Sequence, residues 1–519
     1  MVNGQASAVR SGRRGGGRCA VAWGAALTVL VSLAGAEVAS GQPGGVKGAE
    51  VSGAPASGPA GAGSHITWKP CEEDASAQCG ALSVPVDWDR PDGQRFDLRL
   101  ARRKATDPGA RVGSLVFGPG GPGDSGVERI VGKGNMSRFS DTLRSRFDVV
   151  SFDPRGVGAS NPVRCSQKLL ARRPPTVIAS QAAFDATVTY NRTLREDCRR
   201  HTENGLFDHV GTLSMVKDLD AIRAALGERS LTFHGSSYGT LLGEQYAEQY
   251  PQRVRALTLE SVVDHSLGTR AFLGTQAAAL QDSFDEFVAW CARSESCVLH
   301  GSDVRALWAD LLNRAERGQL QHDGTALTPF DLNVLVMKLL YDPEWAELGR
   351  LLQGLSQNNA EQEGPAAEST DQDEPALGAN PFEVFCQDWR LPVSNYADYA
   401  RQLHRIAGIA PDMRYPRALM SVSACLGAPE PNNPQHRLRV HHSRPLLLTN
   451  AVHDPAAGYN WATHVAEQLG DHAVLHTYQG WGHGTYTSSP CAQKVVDDYL
   501  ISLKVPARGA SCPAVEPAG

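Results

Sequence analysis

The sequence predicts an α/β chain in which a mostly parallel sheet, covered by helices, is interrupted by an inserted, mainly helical section. Three observations carry that expectation. Short apolar runs at Ser114 to Phe117, Phe147 to Phe152, Leu231 to His234 and Val254 to Leu259 alternate with helical patterns, as parallel strands joined by crossover helices do. From about His265 to about Val440 the pattern turns helical and irregular, and sheet-like runs then return at Pro445 to Thr449 and Ala473 to Tyr478. The middle section therefore interrupts a sheet that both ends complete. With 519 residues, 41% of them hydrophobic, the chain is long enough for both parts.

The elements follow in chain order. Arg10, Arg13, Arg14 and Arg18 precede an apolar run from Ala20 to about Gly35 and then small residues through Ser40, the pattern of a secretory signal peptide over residues 1–40. The run is shorter than the roughly 20 apolar residues of a bilayer span. Cleavage after Ala36 or Ser40 fits the small-residue exit, and Cys19 lies ahead of the run, away from the place of a lipidated cysteine. Residues 41–64 are almost wholly Gly, Ala, Pro, Ser and Val and read as a flexible leader. The first part of the sheet domain spans 65–264, the helical cap 265–440 and the final part of the sheet domain 441–519. Within the first part, Met215, Leu219, Ile222 and Leu226 recur at helical spacing with Gly227 as a stop signal, which predicts a crossover helix. Within the cap, the acidic, Gln- and Pro-containing stretch 356–379 reads as a mobile surface loop.

A formal net charge of -6 without a sustained basic stretch beyond the N-terminus excludes the electrostatic footprint of a nucleic-acid or anionic-lipid partner. Once the signal is removed, no further segment is expected to meet a membrane. Ten of the eleven cysteines then remain, an even number suited to an exported, oxidised chain. Neighbours along the chain suggest Cys71 with Cys79, Cys165 with Cys198, Cys291 with Cys297, Cys386 with Cys425, and Cys491 with Cys512, although sequence alone leaves the connectivity open. The spacings form no paired C-x-x-C clusters and no His flanks them at ligand spacing, so a zinc site is not expected.

The chemistry centres on Gly235-Ser236-Ser237-Tyr238-Gly239, a G-x-S-x-G that follows an apolar run and precedes a helical stretch ending before Pro251. A sharp strand-to-helix turn needs glycines where backbones approach closely, and it lifts the hydroxyl of Ser237 above the sheet at a helix N-terminus. A serine at neutral pH needs a base, and the base needs an orienting acid. Asp454, in His453-Asp454-Pro455, and His483, in Gly480-Trp481-Gly482-His483-Gly484, follow the serine in the order such a fold requires. His453 is a weaker rival for the base because it comes too early. Upstream, Phe117-Gly118-Pro119-Gly120-Gly121-Pro122-Gly123 can bring backbone N–H groups against a developing oxyanion. Pro122 has none to give, so one donor is assigned to Gly121, with Gly120 in reserve, and the second to Tyr238. The same loop lacks the Lys-Ser/Thr of a phosphate cradle.

These residues resemble the secreted tripeptidyl aminopeptidase branch of the proline iminopeptidase-like α/β hydrolases. The likeness rests on Gly118 to Gly126 (GPGGPGDSG), Phe152 to Ser160 (FDPRGVGAS), Gly235 to Thr240 (GSSYGT), Asp454-Pro455, Gly482-His483-Gly484 and the cysteines flanking Tyr499-Leu500. It runs from about Trp68 to Cys512. The resemblance implies an α/β-hydrolase core with an inserted cap, a C-terminal region carrying acid and base, and removal of short peptides from free N-termini without metal or organic cofactor. The suggested cysteine pairs look like those of the family too. Gly118 stands where such proteins usually have Asn, Ala456-Ala457-Gly458 replaces Val-Thr-Pro, and Ala428 stands in place of a Trp. These departures bear on substrate preference and leave the triad residues intact. Peptides with free N-termini would need a carboxylate for the ammonium group, since an unpaired buried charge is costly; Asp264, Glu260 and Glu383 are candidates. Asp153 and Arg155 read as supports of their own loop. The same triad would also serve an esterase or amidase on small acyl compounds, and a non-catalytic binding protein with this fold is the remaining alternative.

Overall fold

A computed structural model describes residues 65–132, 135–357, 377–441 and 443–517. The residues expected to form a signal peptide and leader, 1–64, and most of the acidic stretch 356–379 lie outside the described residues. The described residues belong to one compact unit, built on a ten-stranded sheet.

Seven of the strands run parallel to their neighbours. Phe147–Phe152, Gly113–Gly118, Leu231–Ser236, Val254–Glu260, Leu446–His453, Ala473–Trp481 and Ser511–Cys512 lie side by side in that order. Central strands buried on both faces read as continuous apolar runs, and Gly113–Gly118 and Phe147–Phe152 are buried at every position. Three antiparallel strands, Lys69–Pro70, Gln78–Pro85 and Arg95–Arg103, extend the sheet beyond Phe147–Phe152. They were not anticipated, although Phe96, Leu98 and Leu100 face the core while Arg95, Asp97 and Arg99 face solvent, the period-two pattern of a half-buried strand.

The expected crossover helix forms over Thr212–Ala225, with Met215, Leu219 and Ile222 buried. It stops at Gly227, whose φ of +74° suits a residue without Cβ. Val254–Glu260 pairs directly with Leu446–His453, so everything between them leaves the sheet and returns to the adjacent strand. That excursion is mainly helical: Thr269–Arg293, Val304–Glu316, Pro329–Tyr341, Trp345–Gln357, Phe382–Asp388, Tyr396–Ile409 and Ala418–Ala424. Phe284, Phe287, Trp290, Trp308 and Trp345 pack ring against ring inside it, and Trp345 meets Trp481 beside the last long strand. Large aromatic faces bring both buried area and edge contacts, which fixes the helical section on the sheet.

Five disulfides join Cys71–Cys79, Cys165–Cys198, Cys291–Cys297, Cys386–Cys425 and Cys491–Cys512. The Phe152 to Ser160 loop is held from within. Asp153 accepts from Ser125 Oγ at 2.6 Å, Val127 N at 3.1 Å and Ala159 N at 2.8 Å. Arg155, fully buried, forks onto both oxygens of Asp218 at 2.6 Å and donates to three backbone carbonyls, so its buried charge is both paired and hydrogen-bonded. No described helix is long and apolar enough to cross a membrane.

Candidate active site

Ser237 caps the helix Tyr238–Gln249 where the strand Leu231–Ser236 ends, at φ 54° and ψ −123°. A non-glycine residue with positive φ costs of order 1–3 kcal/mol and persists only where its surroundings enforce it. Here the Ser237 N–H donates to the Glu260 carbonyl at 2.9 Å, and its own carbonyl accepts from Thr240 N at 2.8 Å and Thr240 Oγ1 at 2.7 Å. The flanking glycines are needed for space. A Cβ on Gly235 would sit 2.5 Å from the Gly239 carbonyl oxygen, and one on Gly239 would sit 2.4 Å from the Gly118 carbonyl oxygen. The turn, the glycine loop that follows the strand Gly113–Gly118 and the helix are thus packed backbone to backbone.

The glycine loop closes over the serine: a Cβ on Gly120 would lie 3.0 Å from Ser237 Cβ. Gly120, Gly121 and Tyr238 share one cavity with Ser237 and His483. Tyr238 is the first helical residue, whose N–H has no intrahelical acceptor. Its hydroxyl is anchored at 2.6 Å on Asp388, a fully buried carboxylate that also accepts from Thr212 N, Thr212 Oγ1 and Asn433 Nδ2. Burial pushes the Asp388 carboxyl up, against the pull of those donors. Sequence reasoning missed Asp388. At Gly118, any Cβ would meet the Phe233 ring at 2.3 Å, so the side chain usual at this position in the resembling proteins has no room here.

His483 and Asp454 meet as their order in the chain predicts. His483 Nδ1 lies 2.9 and 3.0 Å from the two Asp454 oxygens. Asp454 is 1% exposed, and its Oδ1 also accepts the amides of Ala456 and Ala457 at 2.9 Å each, so the alanines that depart from the family pattern still cap the acid through their backbone. Burial disfavours the imidazolium of His483, but the charge and hydrogen bond of Asp454 outweigh it and hold the ring above its ordinary value. The Tyr341 ring stacks on His483 at 4.8 Å, and the His483 N–H donates to the Tyr341 carbonyl at 2.7 Å. His453 turns elsewhere, to Asp282 at 2.8 Å.

The three acids offered for an ammonium group are each engaged. Glu260 reaches the cavity wall, yet it accepts from Thr485 N at 2.5 Å, Tyr486 N at 2.6 Å, Thr485 Oγ1 at 3.1 Å and faces His234 Nε2 at 3.1 Å. It thereby pins the loop that carries His483. Asp264 is outside the cavity wall and is held by His464 Nδ1 at 2.5 Å, Ser266 and Gln468. Glu383 pairs with Arg195 at 2.5 Å in the wall of a separate, smaller cavity. Among the described residues no cluster of three or more His, Cys, Asp or Glu is arranged to hold a metal.

The cavity measures about 490 Å³, in the range of small-molecule and short-peptide sites. Phe272, Phe385, Trp389 and Trp461 supply apolar wall, and Asp124, Asp342, Arg129, Arg138 and Arg417 supply charge. Asp124 is matched by Arg129 at 3.2 Å. Asp342 and Arg417, both from the helical section, were not anticipated; neither lies in a recognisable motif.

The alpha/beta hydrolase fold family matches residues 113–483. The chain belongs to the α/β hydrolases. It is 32% identical over 481 residues to the serine protease Hip1 of Mycobacterium tuberculosis, covering 87% of this chain and 91% of that one. To the tripeptidyl aminopeptidase of Streptomyces lividans it is 28% identical over 469 residues, 86% of each chain. Carboxylesterase B of Mycobacterium tuberculosis is 31% identical over 480 residues, 86% of this chain and 89% of that one. This α/β hydrolase is therefore an enzyme of the hydrolase class, related along most of its length to serine peptidases.

Proposed function

We propose that this protein is a secreted serine peptidase that releases tripeptides from free N-termini through an acyl-enzyme. The observation that carries the reading is a buried Asp454 bonded to His483, with His483 sharing a cavity with a serine on a strained strand-to-helix turn. Ser237 Oγ attacks the scissile carbonyl while His483 takes its proton, and Asp454 holds Nδ1–H so that Nε2 is the basic nitrogen. The oxyanion is received by the amides of Gly121 and Tyr238, with Gly120 beside them. His483 then returns the proton to the leaving amine, and water, activated by the same His, releases the acyl group.

The helical section 265–440 acts as a cap that supplies the far wall of the cavity, and in this reading Asp342 receives the substrate ammonium. Its carboxylate lines the cavity and has no side-chain partner among the described residues, unlike Asp264, Glu260 and Glu383. Secretion is supported by the five disulfides, which persist in oxidising compartments, and by the signal-like residues 1–40.

The carboxylesterase relative favours a second reading, hydrolysis of small esters, which the same triad would perform. Rates on a free tripeptide anilide, its N-blocked form and a short-chain ester separate the two. The peptidase reading expects the free tripeptide to lead, and Ser237→Ala to abolish both turnover and labelling by an active-site phosphonate. Equal rates on free and blocked peptides would overturn the exopeptidase reading, and full turnover by Ser237→Ala would overturn the triad.

A further inference from the structure

The charges of the catalytic cavity are not all paired within its wall, and Arg417 is the most buried of those left without an opposite charge. The wall carries three arginines, Arg129, Arg138 and Arg417, and three acids, Asp124, Glu260 and Asp342. Asp124 is matched by Arg129, and both oxygens of Glu260 are taken by His234 and the 485–486 loop. Arg138 is exposed at the rim, whereas Arg417 is half-buried. Among the described residues Arg417 forms no ion pair, with Asp342 or with any other acid. It is also close to the chemistry. Tyr341, the residue stacked on His483, has its phenol pushed up by burial, with the charge and a side-chain hydrogen bond of Arg417 working the opposite way, so Arg417 has a neutral partner there but no anion.

A guanidinium is strongly polar on its edge and always charged, and removing it from water without an anion is expensive. Its planar fork matches a carboxylate in two parallel hydrogen bonds. A surface arginine meets that need with solvent. One half-buried in the wall of a substrate cavity, next to the catalytic base, can meet it with substrate.

We propose that Arg417 is a specificity-determining residue that receives a carboxylate of the substrate close to the scissile bond. The preferred substrates are accordingly acidic in that region. The carboxylate is either an Asp or Glu side chain flanking the cleaved bond or the free C-terminus of a short peptide whose last residue is the leaving group. This proposal rests on the serine-hydrolase reading of the cavity.

The test compares kcat/KM for matched substrates in the wild-type protein, R417Q and R417K. One arm sets Glu against Gln on the acyl side of the cleaved bond, a second sets Glu against Gln on the leaving side, and a third sets a free tetrapeptide against its C-terminal amide. The wild type is expected to favour the carboxylate member by about ten- to a hundredfold in at least one arm, and the arm that responds identifies the source of the carboxylate. R417Q should bring that ratio to near one, mainly through KM, and R417K should restore part of it. Phosphonate labelling of Ser237 verifies that each variant is folded. A wild-type ratio near one in every arm, or a ratio that survives in labelled R417Q, overturns the proposal. If Ser237→Ala hydrolyses these substrates at the wild-type rate, the serine-hydrolase reading itself has failed, an outcome distinct from loss of carboxylate preference alone.

Discussion

Replacing Glu260 with Gln removes a buried charge that ties the loop carrying His483 to the sheet. Glu260 ends the strand Val254–Glu260, and its backbone carbonyl already holds the Ser237 amide at 2.9 Å. Its side chain accepts the amides of Thr485 and Tyr486 at 2.5 and 2.6 Å and faces His234 at 3.1 Å. Burial opposes the charge, but the hydrogen bond and charge of His234 and the two amides prevail, bringing the carboxyl to about 2 from its ordinary 4.5. At 1.36 kcal/mol per pH unit, that gap corresponds to about 3 kcal/mol of folding stability. The sign follows from the lowered value. The contribution is complete above the unfolded carboxyl's pKa and is lost as pH falls from about 4.5 towards 2. Glu260→Gln should therefore cost about 3 kcal/mol near neutrality, and its deficit against the wild type should shrink on acidification. Urea unfolding followed by tryptophan fluorescence, with disulfides intact and at several pH values, measures this directly. Turnover should fall more than KM changes, since the lost hydrogen bonds act on the placement of His483. A deficit below about 0.5 kcal/mol at neutral pH, the scatter of ordinary surface changes, or one that widens in acid, would refute the reasoning.

In the proposed mechanism His483 is a base only when neutral, so its raised pKa should place the acid limb of kcat/KM above the 6.5 of an ordinary imidazole; a pH–rate profile checks it. Asp454→Asn should lower that limb, because the charge that raises it is gone, and reduce kcat by about 10³- to 10⁴-fold. Gly239→Ala would drive a Cβ to 2.4 Å from one backbone oxygen and 2.7 Å from the next. It should cost about 1–3 kcal/mol or more and lower kcat by about a hundredfold through displacement of the glycine loop. Gly408→Ala, on a helix with nothing within 4 Å of the added carbon, is the control and should be neutral or slightly stabilising in thermal unfolding.

What the sequence made legible is what short-range geometry dictates. A strand-to-helix turn with backbones in contact leaves no room for side chains at Gly235 and Gly239, so the motif suggested Ser237, and Asp454 and His483 following it in the required order sharpened that reading; buried parallel strands announced themselves as apolar runs. The cysteine pairs lie only 6 to 39 residues apart, so nearest neighbours were a sound guide. The anchoring of Tyr238 was beyond reach, because Asp388 is 150 residues away in a helical section whose own pattern says nothing of the sheet.

The acids show most clearly why the rest was hidden. A carboxylate has no role fixed by its local sequence; its role depends on which donors the fold brings to it. Glu260 ends the strand that precedes the helical section, a place expected of a substrate-binding acid, yet its donors are the amides of residues 225 and 226 positions later. Asp264 is claimed by His464 and Glu383 by Arg195 in the same way. Desolvation makes this selective, since a buried carboxylate is tolerated only when donors surround it, and donors so committed are unavailable to a ligand. The charged groups left for substrate are therefore those that folding leaves without a partner in the wall of the cavity. In the cavity wall Asp342 has no side-chain partner among the described residues and Arg417 has a phenol but no acid; neither sits in a motif, and the proposed reading gives these two the substrate's charges.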